Sequence, residues 1–143
     1  MRRHFCPRTA ATCVLLVYTI CLMGAGFNHA NDIVQGDWFP YRHAPLSMNV
    51  YWTSLVALDP LAAVLLWLKP RVGLAVTLAI MVSDVAVNSY GVHGLDYHGW
   101  YACGSLQLQA MFLRFVVGSL PFVWPNGNRS NAESAAIAKP ESE

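Results

Sequence analysis

Charged residues are scarce in this sequence, and the short motifs of common soluble enzymes are missing from it. Asp, Glu, Lys and Arg make up only 12% of the 143 residues, about half their usual share in a soluble domain. There is no G-x-S-x-G, no H-E-x-x-H and no Gly-rich phosphate-binding loop. The basic residues are few and scattered and the net charge is only +1, so we expect no nucleic-acid partner.

Pairs of cysteines and recognisable sets of metal ligands are also missing. The four cysteines form no C-x-x-C motif, which argues against a thiol–disulfide exchange enzyme. No lysine lies inside an apolar run, where it could hold a retinal-like ligand as a Schiff base. The loop histidines have spacings that match no metal-binding signature. We therefore expect no cofactor and no metal ion. These histidines are His29, His43, His93 and His98.

Long apolar runs are what the sequence does contain, since 55% of its residues are hydrophobic. A helix needs about 20 apolar residues to cross a hydrocarbon core of roughly 30 Å, and residues 72–91 reach that length with Asp84 as their only ionisable group. Four such runs predict an all-α membrane protein, a four-transmembrane-helix bundle, with no room for a separate soluble catalytic domain. We predict a cytoplasmic N-terminus at 1–8, a transmembrane domain at 9–124 with spans at about 9–27, 49–68, 72–91 and 104–124, and a disordered cytoplasmic tail at 125–143.

The distribution of basic residues predicts the orientation of the bundle. Seven of them fall on one side of the four-span arrangement and only Arg42 on the other, so the positive-inside rule predicts both termini in the cytoplasm. The first run also resembles a signal peptide, but it is long and lacks a clear A-x-A cleavage site, so we favour a retained helix. With no recognisable organelle signal, we expect a multi-pass protein of a bacterial plasma (inner) membrane. The seven residues are Arg2, Arg3, Arg8, Lys69, Arg71, Arg129 and Lys139.

The connection at 27–48 is the longest one that the sequence predicts. It mixes aromatic residues, turn formers and both signs of charge, and Trp38 and Tyr41 suit the headgroup region of a bilayer. Because loops of this length usually have a function or cover a bundle, we expect a partly ordered cap.

Three ionisable residues lie well inside the predicted spans. At about 1.5 Å per residue, Asp59 and Arg114 lie at similar depth in spans two and four, and Asp84 lies somewhat nearer the outer end of span three. A charge that faces lipid costs at least about 2.5–3.5 kcal/mol, whereas charges that face a bundle interior can pair. We therefore predict a contact between Arg114 and Asp84, Asp59 or both.

Helical periodicity predicts which residues accompany these charges. If the polar faces of spans two, three and four converge, they enclose a pocket that opens outward. A second face of span three, at Ala75, Ala79 and Ser83, carries small residues that allow close approach of another helix. The three polar faces are Trp52, Asp59 and Ala63; Thr77, Asp84 and Asn88; and Gln107, Met111, Arg114 and Gly118.

The functional hypothesis is a small integral membrane protein that binds a small solute, or passes that solute or a proton, through this Asp/Arg pocket. Asp59, Asp84 and Arg114 would hold charge, and Asn88, Gln107 and Trp52 would line the pocket. The sequence favours a non-enzymatic protein and assigns no catalytic residue. Two alternatives stay open: a membrane-embedded enzyme that acts on a lipid-like substrate through a carboxylate, and a structural subunit, either of a homo-oligomer or with a partner membrane protein. The second alternative is favoured if the Ala75, Ala79 and Ser83 face points outward, and the buried charges would then serve as a latch between helices.

Overall fold

Four long helices make up most of the computed structural model, which describes residues 7–95 and 100–124. The helices are α1 (Pro7–Gly36), α2 (Leu46–Leu68), α3 (Pro70–Gly94) and α4 (Trp100–Val123), and no strand occurs in the described ranges. Each helix is long and apolar enough to cross a membrane. The predicted all-helical, four-helix architecture is thus confirmed. The predicted tail at 125–143 and most of the N-terminal segment lie outside the described residues.

Each helix packs against its neighbours in the chain. α1 contacts α2, α2 contacts α3, α3 contacts α4, and a weaker contact between α4 and α1 closes the ring. Within the described part of the chain, no Cα atom of α2 lies within 8 Å of one in α4, so these two helices lie diagonally across the bundle. A cavity at the centre is therefore walled by all four helices.

The turn between α2 and α3 is the tightest connection in the described chain. Lys69 alone separates the two helices, and α3 begins with Pro70 at a position where the missing N–H is not needed. Gly73 then lies against the backbone of α2, because a Cβ built on it would clash with the Leu66 nitrogen. The short turn and this close approach hold α2 and α3 as antiparallel neighbours.

α1 is longer than the sequence predicts, and this shortens the following connection. The helix continues past Phe27 to Gly36, so the irregular segment is only 37–45 rather than most of 27–48. Asp37 ends the helix in the left-handed region, with φ of 68°, which Asp tolerates better than most residues. An exposed ion pair of 2.9 Å joins Asp37 to Arg42.

α1 contacts its neighbours at two positions along its length. Gly26 packs on Pro60 of α2, where a Cβ would lie 3.0 Å from the Pro60 Cδ; α2 stays helical through this proline. Towards the other end of α1, the fully buried Tyr18 hydroxyl contacts α4 through the Val116 carbonyl at 3.0 Å and the Ser119 hydroxyl at 2.7 Å. Tyr18 thus makes the contact that closes the ring of helices.

Candidate functional site

A cavity of about 750 Å³ lies at the centre of the bundle, towards the end where the 37–45 connection crosses it. All four helices and this connection contribute to its wall. Its volume falls in the range of roughly 300–1,000 Å³ that is usual for small-molecule sites. The polar side chains of the wall are Asn28, His29, Asp32, Tyr41, His43, Asp59, Asp84, Asn88, Ser105 and Gln109.

Asp59 of α2 is the most deeply buried acidic residue of the cavity wall. It is only 2% exposed, and among the described residues no side chain or backbone group forms a hydrogen bond or an ion pair with it. Its helix carries it there because Trp52, Asp59 and Ala63 form one buried face, as the periodicity predicts. A buried carboxylate without a partner is costly, so this side chain offers an unused acceptor to whatever enters the cavity.

Asp84 of α3 faces the same cavity and is 7% exposed. Asn88, one turn later, donates its amide N–H to the Asp84 carboxylate and to the Asp84 backbone carbonyl, both at 2.8 Å. One neutral donor leaves most of the acceptor positions of a carboxylate free. Asp59 and Asp84 also interact electrostatically with each other. The structure therefore brings together two carboxylates with few protein donors between them.

A chain of hydrogen bonds lies at the end of the cavity near the 37–45 connection. The Tyr41 hydroxyl donates to the Asp32 carboxylate at 2.5 Å, and the His29 Nδ1 is 3.0 Å from the same hydroxyl. Since the hydroxyl proton goes to Asp32, His29 acts as the donor to Tyr41. Burial, together with the adjacent Asp32 carboxylate, raises the pKa of the Tyr41 hydroxyl well above its ordinary value. The hydroxyl therefore stays a donor over the whole physiological pH range.

Tyr41 also fixes the connection to the bundle. Its backbone N–H donates to the buried Asn49 side chain at 3.4 Å, and its ring packs edge-on against Trp52, with 4.9 Å between the ring centroids. The segment that the sequence predicted as a cap thus supplies Tyr41 and His43 to the cavity wall. Trp52, like Asp59 and Tyr41, lines the cavity.

α1 contributes to the cavity in a way that the sequence reasoning missed. The predicted pocket involved only spans two to four, whereas Cys21, Ala25, Asn28 and Asp32 of α1 all line the cavity. These residues are spaced i, i+4, i+7 and i+11, the pattern of one helix face. The signal was present in the sequence, but it was obscured because the helix was predicted to end at Phe27.

The predicted contact between Arg114 and the carboxylates is wrong. Arg114 is exposed and forms no ion pair with Asp59 or Asp84, all three of which lie in the described part of the chain. Gln107 is exposed as well and does not line the cavity. The inner face of α4 instead carries Phe112, Val116, Ser119 and Val123, with Ser105 and Gln109 at the cavity. The site is thus acidic rather than an Asp/Arg pair.

The cavity wall includes exposed residues of both α1 and α4. These helices make the weakest of the four helix contacts, and Tyr18 makes it away from the cavity end. On either side of the gap, Cys21 and Asn28 of α1 and Leu108 of α4 are exposed and also line the cavity. The gap between α1 and α4 is therefore the candidate entrance to the cavity.

The small-residue face of α3 points outward. Ala75 and Ala79 are exposed, and they lie in a shallow apolar groove with Leu120 and Trp124 of the α4 end. Ser83 is held by its neighbours, since its hydroxyl is 2.8 Å from the Tyr51 hydroxyl of α2. This face is separate from the central cavity.

No group of three or more His, Cys, Asp and Glu side chains that could hold a metal ion occurs among the described residues. Comparisons with protein-family models, with characterised proteins and with solved structures returned no match.

Proposed function

We propose that this chain is a small multi-pass membrane protein that binds a small solute in its central cavity, or passes that solute or a proton through it. In this proposal the four helices cross a bilayer with both termini in the cytoplasm, and the membrane is a bacterial plasma membrane. The bilayer itself is then the main partner, and no nucleic acid is involved.

The observation that carries the proposal is the convergence of Asp59, Asp84, Asn88 and Trp52 on one cavity of about 750 Å³. Ionisable groups within apolar helices are costly, so they usually mark a substrate or ion pathway. A structural latch would instead pair the charges with each other. Asp59 has no such partner among the described residues, which favours a binding role.

The test is to fill the cavity without altering its polar groups. Gly24 lines the cavity and has no neighbouring atom within 4 Å of a Cβ built on it, so Gly24→Leu places its side chain in open space. Gly118 is equally unobstructed but lies outside the cavity wall, so Gly118→Leu is a matched control. We expect Gly24→Leu to weaken solute binding at least tenfold and Gly118→Leu to leave it unchanged.

The measurement has two readouts on purified full-length protein. Solute binding is screened by ligand-induced shifts in thermal unfolding, and proton passage is followed in liposomes that contain a pH-sensitive dye. The proposal would be contradicted if no solute raises the unfolding temperature of the wild-type protein and if liposomes that contain it pass protons no faster than empty liposomes. A response that is identical in the wild type and in Gly24→Leu would do so too, because the effect would then arise outside the cavity.

A second candidate, the structural subunit, is favoured by the outward orientation of Ala75 and Ala79. Small residues on an exposed face let a further helix approach closely. In this alternative, another copy of the chain packs along the groove of α3 and α4 that ends at Leu120 and Trp124. Ala79→Leu would then convert an oligomer to a monomer in light-scattering measurements, whereas a chain that is monomeric from the start removes this candidate.

A further inference from the structure

The charge of the cavity wall narrows the class of ligand. The wall contains three carboxylates, from Asp32, Asp59 and Asp84, and no lysine or arginine side chain from the described residues. The Asp32 carboxylate already accepts a hydrogen bond from Tyr41, whereas Asp59 has no partner in that part of the chain. An anionic solute would be repelled by ionised carboxylates at this wall, whereas a cationic solute would compensate their charge and supply the hydrogen-bond donor that Asp59 lacks.

The rest of the wall is apolar and aromatic. Leu22, Ile80 and Met81 line the same cavity as the acids, and Phe112 and Trp52 supply aromatic rings. Aromatic faces attract cations, most strongly where water is excluded. This surface suits a ligand with a positive centre and an apolar body. The cavity is less suited to a bare metal ion, since the described residues contain no group of three His, Cys, Asp or Glu side chains that could hold one.

We infer that the central cavity binds an organic cation, a protonated amine with an apolar or aromatic body, whose N–H groups donate to Asp59 and Asp84. The inference rests on the proposed function of solute binding and specifies its ligand class. Asp59 is the primary anchor because it has no partner among the described residues, and Asp84 accepts a second hydrogen bond at a carboxylate that Asn88 already orients. Entry is lateral, through the gap between α1 and α4, where Leu108 is 69% exposed.

The experiment compares two probes of the same shape on purified full-length protein. Dibenzylamine is protonated at neutral pH, and dibenzyl ether replaces its charged nitrogen with a neutral oxygen. Equilibrium binding of each is measured by calorimetry in detergent micelles, with protein-free micelles as the blank. We expect the amine to bind at least tenfold more tightly than the ether.

The variants assign this preference to particular residues. Asp59→Asn keeps the side-chain shape and removes the charge, and we expect it to weaken amine binding about 10- to 100-fold, the range for one hydrogen bond to a charged group. Asp84→Asn is a second variant with the same expected direction. Asp37→Asn is the control, because Asp37 is exposed, pairs with Arg42 and lies outside the cavity wall; its affinity should equal that of the wild type. Thermal unfolding of each variant verifies that it is folded.

The outcomes separate this inference from the proposed function. Equal binding of amine and ether, no binding of the amine to the wild type, or unchanged affinity in both Asp59→Asn and Asp84→Asn overturns the cationic ligand. The proposed function, solute binding in the cavity, would still be supported after those results if Gly24→Leu weakens the binding of other solutes. Loss of the Gly24→Leu effect removes the proposed function, and the inference with it.

Discussion

Replacing Tyr41 with Phe tests whether the hydrogen-bonded chain at the end of the cavity stabilises the fold. The variant removes the hydroxyl that joins His29 to Asp32 and keeps the ring that packs on Trp52. A hydrogen bond to a charged acceptor contributes about 1.5–3 kcal/mol, and a neutral one less. Because these groups are only partly buried, we expect Tyr41→Phe to lower the free energy of unfolding by about 1–2 kcal/mol.

The pH dependence of this loss has a definite sign. The pKa of Tyr41 is raised in the folded protein by burial and by the Asp32 carboxylate, so its contribution is fully present below the unfolded-state pKa of about 10. Above that pH the unfolded chain ionises while the folded chain keeps the proton, and the contribution falls by about 1.4 kcal/mol per pH unit. The wild type and Tyr41→Phe should therefore differ at pH of about 9 and converge near pH 11.

The assay is denaturant unfolding of the purified protein in detergent at several pH values, followed by tryptophan fluorescence. Tyr90→Phe is the control, because Tyr90 is 59% exposed and its hydroxyl has no hydrogen-bond partner among the described residues; its stability should stay within about 0.5 kcal/mol of the wild type. A Tyr41→Phe difference that is the same at both alkaline pH values, or no larger than that of Tyr90→Phe, would refute the reasoning.

Two further predictions concern the packing and the orientation of the helices. Gly73→Ala should destabilise the protein by about 1–3 kcal/mol, because the new Cβ would clash with the Leu66 backbone nitrogen. The control Gly118→Ala meets no atom within 4 Å and should be neutral or stabilising by up to about 1 kcal/mol. Equal stabilities of the two variants in thermal unfolding would contradict the close α2–α3 contact. In a cysteine-free background, a membrane-impermeant maleimide should label Trp38→Cys in intact cells and spare Lys69→Cys, and the reverse pattern would overturn the proposed orientation.

The four helices could be predicted from the sequence because apolar length is a strong signal, and α2 and α3 show why periodicity adds to it. On both helices the polar residues repeat on one face among apolar neighbours, so Asp59 and Asp84 could be assigned to the bundle interior. The end of α1 could not be predicted in the same way. Asn28, His29 and Asp32 are typical of loops, and they remain helical here while they face the polar cavity that the other helices form. Their helical state depends on tertiary structure that local composition does not describe.

The orientation of α4 about its axis is where the sequence reasoning failed, and the reason is general. The depth of a residue in a span follows from its position in the sequence, but its direction depends on which face of the helix packs inward. Phe112 and Val116 pack against α1 around Tyr18, and Arg114, two residues beyond Phe112, is turned about 200° from it.

The bundle topology also separates Arg114 from Asp59, because among the described residues α4 packs against α1 and α3 and lies diagonally opposite α2, the helix that carries Asp59. A match in depth therefore does not establish an ion pair. Arg114 is absent from the cavity wall, and the described residues place no lysine or arginine there to neutralise the two carboxylates of α2 and α3. The basic groups that these residues do place at the wall are the imidazoles of His29 and His43, and a cation that enters the cavity can neutralise the carboxylates.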